Sequence, residues 1–408
     1  MKSVANSQHL KPLLVQRNIV VGIVYASWNE EIVQDLKQNC INQLHQEYGQ
    51  ICNISIVEIS VPGSNELPIG CKKLLLSVCK LDKIDVIVTL GCLIQGETSH
   101  MSVIASSVSQ QLQSLSIQET IPIIFGVLTC QTIQQAKERV NLGQTYADAA
   151  LAMCTLVSQC DLQLKINKSL QVIKAAVEKF AVDTLEPSAL ALSFNGGKDC
   201  TVVLELLHMY FESIDKPMTI SLLFFDQTPD EFTQIYDVLQ EIADYYEVDI
   251  TTVISKDRLM KDTFNEYIHN HPEIKAIFLG QRSSDKCSAN CVSVTEVNME
   301  NKTETQTKNE NKTETQTEDE AKIKTENKNE TDEKNGWSPI ELINPILEWT
   351  HAEVWSFLLS KRVPYCSLYN EGFTSLGKKS ETVVNPFLPL GKPAWYLQDA
   401  NLERAGRK

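Results

Sequence analysis

The chain has 408 residues, 43% of them hydrophobic, and a formal net charge of −15. This length exceeds one ordinary domain, and the apolar fraction is enough for a sizeable core. The acidic balance argues against non-specific nucleic-acid binding, and no uncharged apolar run is long enough to span a bilayer. Residues Met1 to Asn18 lack the apolar core of a signal peptide. The 12 cysteines are scattered, and Cys40, Cys71, Cys92 and Cys154 sit inside apolar periodic segments. That pattern fits reduced, buried thiols of a cytoplasmic protein. Cys287 and Cys291 form a close pair in loop context, but without a second pair or a nearby His zinc is not expected there.

In chain order, the apolar patterns alternate. Strands are predicted at 19–24, 54–59, 85–90 and 121–128. Helices are predicted at 31–48, 69–80, 102–115, 132–139 and 145–156. Such alternation predicts an α/β fold with a parallel sheet covered by helices on both faces. Ligands bind such sheets at the carboxyl ends of the strands. Three loops fall at that edge: Ala26 to Glu30, Val61 to Pro68 and Gly91 to His100. Gly96 to Ser99 can donate backbone N–H groups to a phosphate where the next helix begins, with His100 beside it as a proton shuttle. A lone His is more often structural, but its place after a Gly-x-Thr turn favours the functional reading. Trp28, flanked by Ser and Asn directly after a strand, is expected to be exposed.

These segments resemble the lumazine synthase family. The resemblance rests on Trp28-Asn29-Glu30, Val61-Pro62-Gly63-Ser64-Asn65-Glu66-Leu67-Pro68, Gly91-Cys92-Leu93-Ile94-Gln95-Gly96-Glu97-Thr98-Ser99-His100, Pro122 to Thr129, and Gln135-Ala136 with Arg139. It covers about residues 18–156 and implies a flavodoxin-like sheet. It also implies condensation of 5-amino-6-ribitylaminouracil with 3,4-dihydroxy-2-butanone 4-phosphate, without a cofactor. By this resemblance Trp28 stacks on the pyrimidine. Gly63 to Glu66 and Cys92 to Ile94 hold the ring and the ribityl chain. Gly96, Glu97 and Thr98 bind phosphate, and His100 moves protons. Phe125 and Arg139 come from a neighbouring subunit in the family, which implies a homo-oligomer, a pentamer. The chain departs from the family at Gln95, where a basic residue is common, and at Asn65, where an aromatic is common. The segment Val140 to Gln144 is short and has no Lys. Fewer positive charges near a phosphate weaken anion binding, by about 1–3 kcal/mol per lost charged hydrogen bond. A decayed domain kept as an oligomerisation scaffold therefore stays open as an alternative.

Polar residues at 158–168 separate two helical patterns and predict a linker at 159–168. Beyond a helix at 169–182, Leu190 to Leu192 reads as a buried strand, and the segment from Cys200 to Leu207 reads as a helix. Between them lies Ser193-Phe194-Asn195-Gly196-Gly197-Lys198-Asp199. Strand, glycine turn and helix aim backbone N–H groups at an anion, and the glycines let the backbone approach it closely. Lys198 adds a mobile charge, and Asp199 can cap the helix or meet a metal. Further strands at 220–225 and 276–280 end near Asp226 and near Gly280, Arg282 and Asp285. The planar fork of Arg282 suits a second anionic substrate. Residues 300–335 are almost all Lys, Glu, Asn, Thr and Gln, and an eight-residue segment from Glu300 recurs from Glu310. Nothing there can bury apolar area, so 288–336 reads as a disordered insert. A helix is predicted from His351 to Lys361. Arg404 and Arg407, three apart near Trp395 and Tyr396, can grip one phosphate from a docked tail.

This half resembles the eukaryotic FMN adenylyltransferase (FAD synthase) family, which has a PAPS-reductase-like, PP-loop adenine nucleotide hydrolase-like α/β fold. The carriers are Phe194 to Asp199, Gly280-x-Arg282-x-x-Asp285, Asn344-Pro345-Ile346-Leu347-Glu348-Trp349, Tyr369 to Gly377, and Trp395-Tyr396-Leu397 with Leu402 to Arg407. The resemblance implies that ATP and FMN are the substrates, with Mg2+ accompanying ATP. The set implied to bind ATP and FMN is Ser193, Asn195, Gly196, Gly197, Lys198, Asp199, Asp226, Gly280, Arg282, Asp285, Trp349, Arg404 and Arg407. Within it Lys198 and the loop amides hold the outer phosphates, and Asn195 and Asp199 organise them and the metal. Asp226 lies beside the adenosine, Asp285 contacts the flavin, and Arg404 and Arg407 surround the FMN phosphate. A PAPS or APS reductase would need a catalytic cysteine near its C-terminus, and Cys366 lies in no such motif. A flavin-binding scaffold without ATP turnover is the alternative of a different class. The expected organisation is a lumazine synthase-like domain at 1–158, a linker at 159–168 and an FAD synthase-like domain at 169–408. Neither nucleic acid nor membrane is expected as a partner.

Overall fold

Two parallel sheets organise the chain. The computed structural model describes residues 18–49, 51–78, 83–180, 189–255, 260–285 and 340–408. The tract expected to be disordered at 288–336, Cys287 and Cys291, and the N-terminal residues 1–17 lie outside the described residues.

The first sheet has the order β2-β1-β3-β4. Its strands are β1 (Asn18–Ala26), β2 (Asn53–Val61), β3 (Val86–Ile94) and β4 (Ile123–Cys130), all paired in parallel. The crossovers are α1 (Glu30–Gln43), α2 (Leu67–Val78) and α3 (His100–Glu119). The short α4 (Ile133–Lys137) and the long α5 (Leu142–Phe180) follow. Successive side chains of a strand face opposite ways. Accordingly Ile19, Val21 and Ile23 pack with Ile32, Val33 and Leu36 of α1 and Ala147, Ala150 and Leu151 of α5. Val20 and Val24 pack on the other face with Cys71, Leu74 and Leu75 of α2 and Val108 and Leu112 of α3. Each such side chain contributes about 1.5–3 kcal/mol by leaving water. The stretch expected as a linker at 159–168 lies inside α5. Its polar residues are the exposed face of one continuous helix, while Leu162 and Ile166 are buried.

The second sheet has the order β7-β6-β5-β8-β9, again parallel throughout. It contains β5 (Leu190–Ser193), β6 (Ser221–Asp226), β7 (Ile250–Ile254), β8 (Ala276–Phe278) and β9 (Glu341–Ile343). Its helices are α6 (Lys198–Ser213), α7 (Thr233–Tyr246) and α8 (Met260–Asn270). One face buries Ala191, Leu223, Phe225 and Ile277 against Ile268 of α8. A final helix, α9 (His351–Lys361), begins where predicted, because Thr350 and Glu353 form a capping box.

By packing, the chain divides into two units. One comprises Met1–Asn167 with Trp349–Gly377 and Glu381–Lys408, and the other Lys168–Glu348 with Lys378–Ser380. This grouping differs from a continuous 169–408 domain. Part of the reason is the ion pair of Lys165 on α5 with Glu353 on α9, at 2.8 Å. Among the described residues no helix is long and apolar enough to cross a membrane.

Candidate active site

In each sheet the strand order reverses once, and some of the marked residues lie beside that reversal. In the first sheet β1 connects to β2 on one side, and the chain then resumes at β3 on the other. The loops after β1 and β3 flank the crevice that this switch opens at the carboxyl edge. After β1, Asn29 takes a left-handed conformation (φ 57°), which Asn tolerates better than most residues. Its Nδ2 donates to the Cys92 carbonyl at 3.0 Å and ties the two loops together. Trp28, on the first of these loops, is 71% exposed, as its flanking residues predicted. After β2, Ser64 to Glu66 form a tight turn. Ser64 is buried, and its Oγ has no hydrogen-bond partner. It fits because Gly91 has no side chain: a Cβ there would stand 2.5 Å from Ser64 Oγ. Asn65 Nδ2 donates to Glu66 Oε1 at 3.1 Å.

The loop after β3 carries Gly96, Glu97 and Thr98, all exposed, and His100 opens α3, also exposed. A Cβ on Gly96 would meet nothing, so the loop faces open space. Gln95 does not reach out of this loop. Its Nε2 donates to the carbonyls of Gly96 (2.7 Å) and Thr98 (2.9 Å). Those carbonyls are turned toward the amide and braced there. Cys92 is buried, and Leu93 and Ile94 are half-buried. Phe125 and Arg139 are not gathered with these loops. Phe125 is in register with Thr89 in the body of the sheet, exposed on the edge strand β4. Arg139 is exposed, and its Nη1 donates to the Gln135 carbonyl at 2.8 Å.

In the second sheet the switch lies between β5 and β8. Gly196 has φ +68°, a conformation that suits glycine. Asn195 Oδ1 accepts from Gly197 N at 3.0 Å and from Cys200 Sγ at 3.0 Å, which folds the turn onto α6. Burial pushes the Cys200 thiol up to about 12, so it acts as a structural donor. Gly280, after β8, lies so close to the start of α6 that a Cβ would collide with the Cys200 backbone nitrogen. That contact brings the β8 loop against the glycine turn. Asp226 ends β6, and its Oδ1 accepts from Thr228 N (2.8 Å), Thr228 Oγ1 (2.6 Å) and Tyr236 OH (2.9 Å).

Four charged side chains meet at this switch. Lys198 Nζ donates to Asp199 Oδ2 at 2.8 Å. Arg282 Nε lies 2.9 Å from Asp199 Oδ1, an ion pair whose angles fall outside hydrogen-bond geometry. Arg282 Nη2 lies 3.9 Å from Asp285 Oδ1, and Arg282 N donates to Asp285 Oδ2 at 2.9 Å. Lys198 is 2% exposed and Arg282 is 1% exposed. Sequence reasoning offered the Arg282 fork to a second substrate; the structure turns it inward onto Asp199 and Asp285. Trp349, expected among the binding residues, is buried and packs edge-on against Phe357 at 5.4 Å. Among the described residues no three His, Cys, Asp or Glu side chains are grouped to hold a metal ion.

The C-terminal segment is docked, as its aromatic residues predicted. Val383 N donates to the Gly406 carbonyl (2.8 Å), and Lys408 N to the Glu381 carbonyl (2.9 Å). Arg407 Nη1 donates to the Leu376 carbonyl, and its guanidinium covers Gly377, where any side chain would collide with it. Burial, then the nearby charge of Arg404, lowers the pKa of Arg407. Sequence reasoning missed the partners of this segment, Thr374, Asn385 and His351; all three are polar residues buried in this structure.

Comparison with known proteins separates the same two parts. Residues 18–158 match the 6,7-dimethyl-8-ribityllumazine synthase family, and residues 189–384 match the phosphoadenosine phosphosulfate reductase domain. A "Probable FAD synthase" of Schizosaccharomyces pombe is 32% identical over 255 residues, 60% of this chain and 80% of that protein. A 6,7-dimethyl-8-ribityllumazine synthase of Prochlorococcus marinus is 41% identical over 143 residues, 34% of this chain and 88% of that protein. The crystal structure of Candida glabrata FMN adenylyltransferase in complex with FAD and inorganic pyrophosphate is 24% identical. It superposes with a TM-score of 0.46, covering 61% of this chain and 88% of that one.

Proposed function

We propose that this chain, which belongs to the 6,7-dimethyl-8-ribityllumazine synthase family in its N-terminal part and to the FAD synthase family in its C-terminal part, is a bifunctional enzyme of flavin biosynthesis whose own residues serve the two reactions. The functional divisions are residues 1–158 and 169–408.

In the first reaction 5-amino-6-ribitylaminouracil condenses with 3,4-dihydroxy-2-butanone 4-phosphate. The exposed Trp28 stacks on the pyrimidine. Ser64 Oγ, buried without a partner, is a donor that a ribityl hydroxyl or ring carbonyl would satisfy. The amides of Gly96 to Thr98 take the phosphate, and His100 moves protons at the reacting carbon. Phe125 and Arg139 stand apart from these loops in one subunit. They serve the site of a neighbouring copy, so the active form is a homo-oligomer, a pentamer as the family resemblance implies.

In the second reaction the FMN phosphate attacks the α-phosphorus of MgATP, an FMN–AMP bond forms, and pyrophosphate leaves. The amides of Asn195 to Gly197 hold the outer phosphates once Gly197 N gives up Asn195 Oδ1, and Lys198 exchanges Asp199 for them. Asp199 then faces the cation that ATP brings. Arg282, with Asp199 and Asp285 as partners, holds both carboxylates in place. Asp226 faces the adenosine, Asp285 the flavin, and Arg404 and Arg407 the FMN phosphate. Catalysis rests on positioning and charge neutralisation. The observation that carries this reading is the Lys198–Asp199–Arg282–Asp285 cluster, its cations buried and its carboxylates half-buried, at a sheet switch point beside the glycine turn.

The bracing of the 96–98 loop by Gln95, a position where the family resemblance implies a basic residue, favours a second reading of the first part as an oligomerisation scaffold. One experiment decides between them. Purified full-length protein is assayed for lumazine formation and for FAD formation, with His100→Ala in parallel. Lumazine turnover that His100→Ala destroys establishes both activities. FAD formation with lumazine production no faster than the spontaneous reaction leaves the scaffold.

A further inference from the structure

The chain from Asp399 onward has neither a long helix nor a strand to hold its course, yet it carries Arg404 and Arg407. The two are close enough that Arg404 opposes the charge on Arg407. Glu381 offsets the charge of Arg407, but the two arginines still repel each other, and a brace holds the segment against that repulsion. The backbone on either side of Glu403 is pinned. Thr374 Oγ1 donates to the Glu403 carbonyl at 2.5 Å, and Asn385 Nδ2 donates to the Leu402 carbonyl at 2.8 Å. The Glu403 side chain turns inward and is 6% exposed, with Oε2 3.2 Å from His351 Nδ1, a close contact whose angles fall outside hydrogen-bond geometry. His351 is 2% exposed and is the first residue of α9. Its other ring nitrogen faces the Ala394 carbonyl at 3.3 Å, and its ring meets Trp355 edge-on at 6.4 Å. The N-terminus of α9 adds the positive end of a helix dipole beside the carboxylate.

We infer that His351 and Glu403 are positioning residues for the flavin phosphate. Their buried pair clamps the turn that carries Arg404 and Arg407, so that both guanidinium groups are already gathered when the dianion arrives. The brace lowers the cost of binding by organising the site in advance. This inference rests on the reading that Arg404 and Arg407 take the FMN phosphate.

The test uses steady-state FAD formation by the full chain, with FMN and ATP varied separately. Arg404→Ala and Arg407→Ala are expected to raise KM for FMN. Glu403→Ala is expected to raise KM for FMN about tenfold while KM for ATP stays within about twofold. Glu403→Gln keeps an oxygen facing His351 and returns most of the loss. If Glu403→Ala does not fold, His351→Asn, which keeps a donor near the Nδ1 position, is compared with His351→Leu, which does not. The Asn variant is expected to stay near the parent KM for FMN and the Leu variant to lose affinity. A purely structural pair would lower thermal stability and move both KM values together or neither, and that result overturns the inference. Raised FMN KM in the Arg variants with unchanged FMN KM in Glu403→Ala and His351→Leu overturns the brace alone. Unchanged FMN KM in the Arg variants overturns the phosphate-site reading and the brace with it.

Discussion

Replacing Asp199 by Asn removes one negative charge from between two buried cations and changes the shape little. In the parent, Oδ2 accepts from Lys198 at 2.8 Å, and Oδ1 lies 2.9 Å from Arg282 Nε. The amide would turn an NH2 group toward one of these cations. Arg282 and Lys198 would each lose the carboxylate charge of Asp199 beside them while staying buried. Removing one partner of a buried ion pair costs about 3–5 kcal/mol. A unit of roughly this size loses about 2–4 °C in Tm per kcal/mol, so the melting of this unit is expected to fall by about 6–20 °C. Asp199→Asn is also expected to abolish FAD formation. Added MgATP should stabilise the variant more than the parent, because its phosphates would return negative charge to Lys198. Calorimetry with and without MgATP, alongside the FAD assay, reads all three effects. A Tm within about 2 °C of the parent, about 1 kcal/mol or less, together with near-normal turnover would refute both the charge argument and the site assignment.

Two further outcomes follow from the first unit. Gln95→Ala removes two exposed hydrogen bonds, each contributing about 0.5–1.5 kcal/mol, and is expected to raise KM for the dihydroxybutanone phosphate by about three- to tenfold. Gln95→Lys should recover affinity by adding charge, and a Gln95→Ala enzyme at the parent KM would show that the brace does nothing. Burial raises Cys40 and Cys71 from 9.0 to about 12, and Cys52 and Cys92 to about 11. Unfolded thiols therefore lose protons above pH 9 while the folded ones keep them, so stability is full below about pH 9 and falls as pH rises toward 12. Urea midpoints between about pH 8 and pH 10.5 should decline, and less steeply in Cys71→Val; parallel slopes would count against the thiols as the cause.

Much of this protein is set by local rules. The alternation of apolar runs determines two parallel α/β sheets, because each period fits only one way of burying a face. Asn195 to Asp199 announces a tight glycine turn into a helix N-terminus, because glycine at positive φ and a helix start are local properties. The start of α9 is legible for the same reason, through Thr350 and Glu353. The polar residues at 159–168 misled because polarity marks exposure, and one face of α5 is exposed along its length. The short strands β7 and β9 gave no periodic signal. Only tertiary structure decided the charged cluster, since Arg282 and Asp199 are far apart in the chain and meet where the backbone of α6 touches Gly280. It also decided that Arg282 faces inward, that Ser64 stands buried without a partner, and that His351 meets Glu403. Sequence period fixes which side of an element is apolar. Which polar groups then share a buried space depends on long-range packing, which no local pattern encodes.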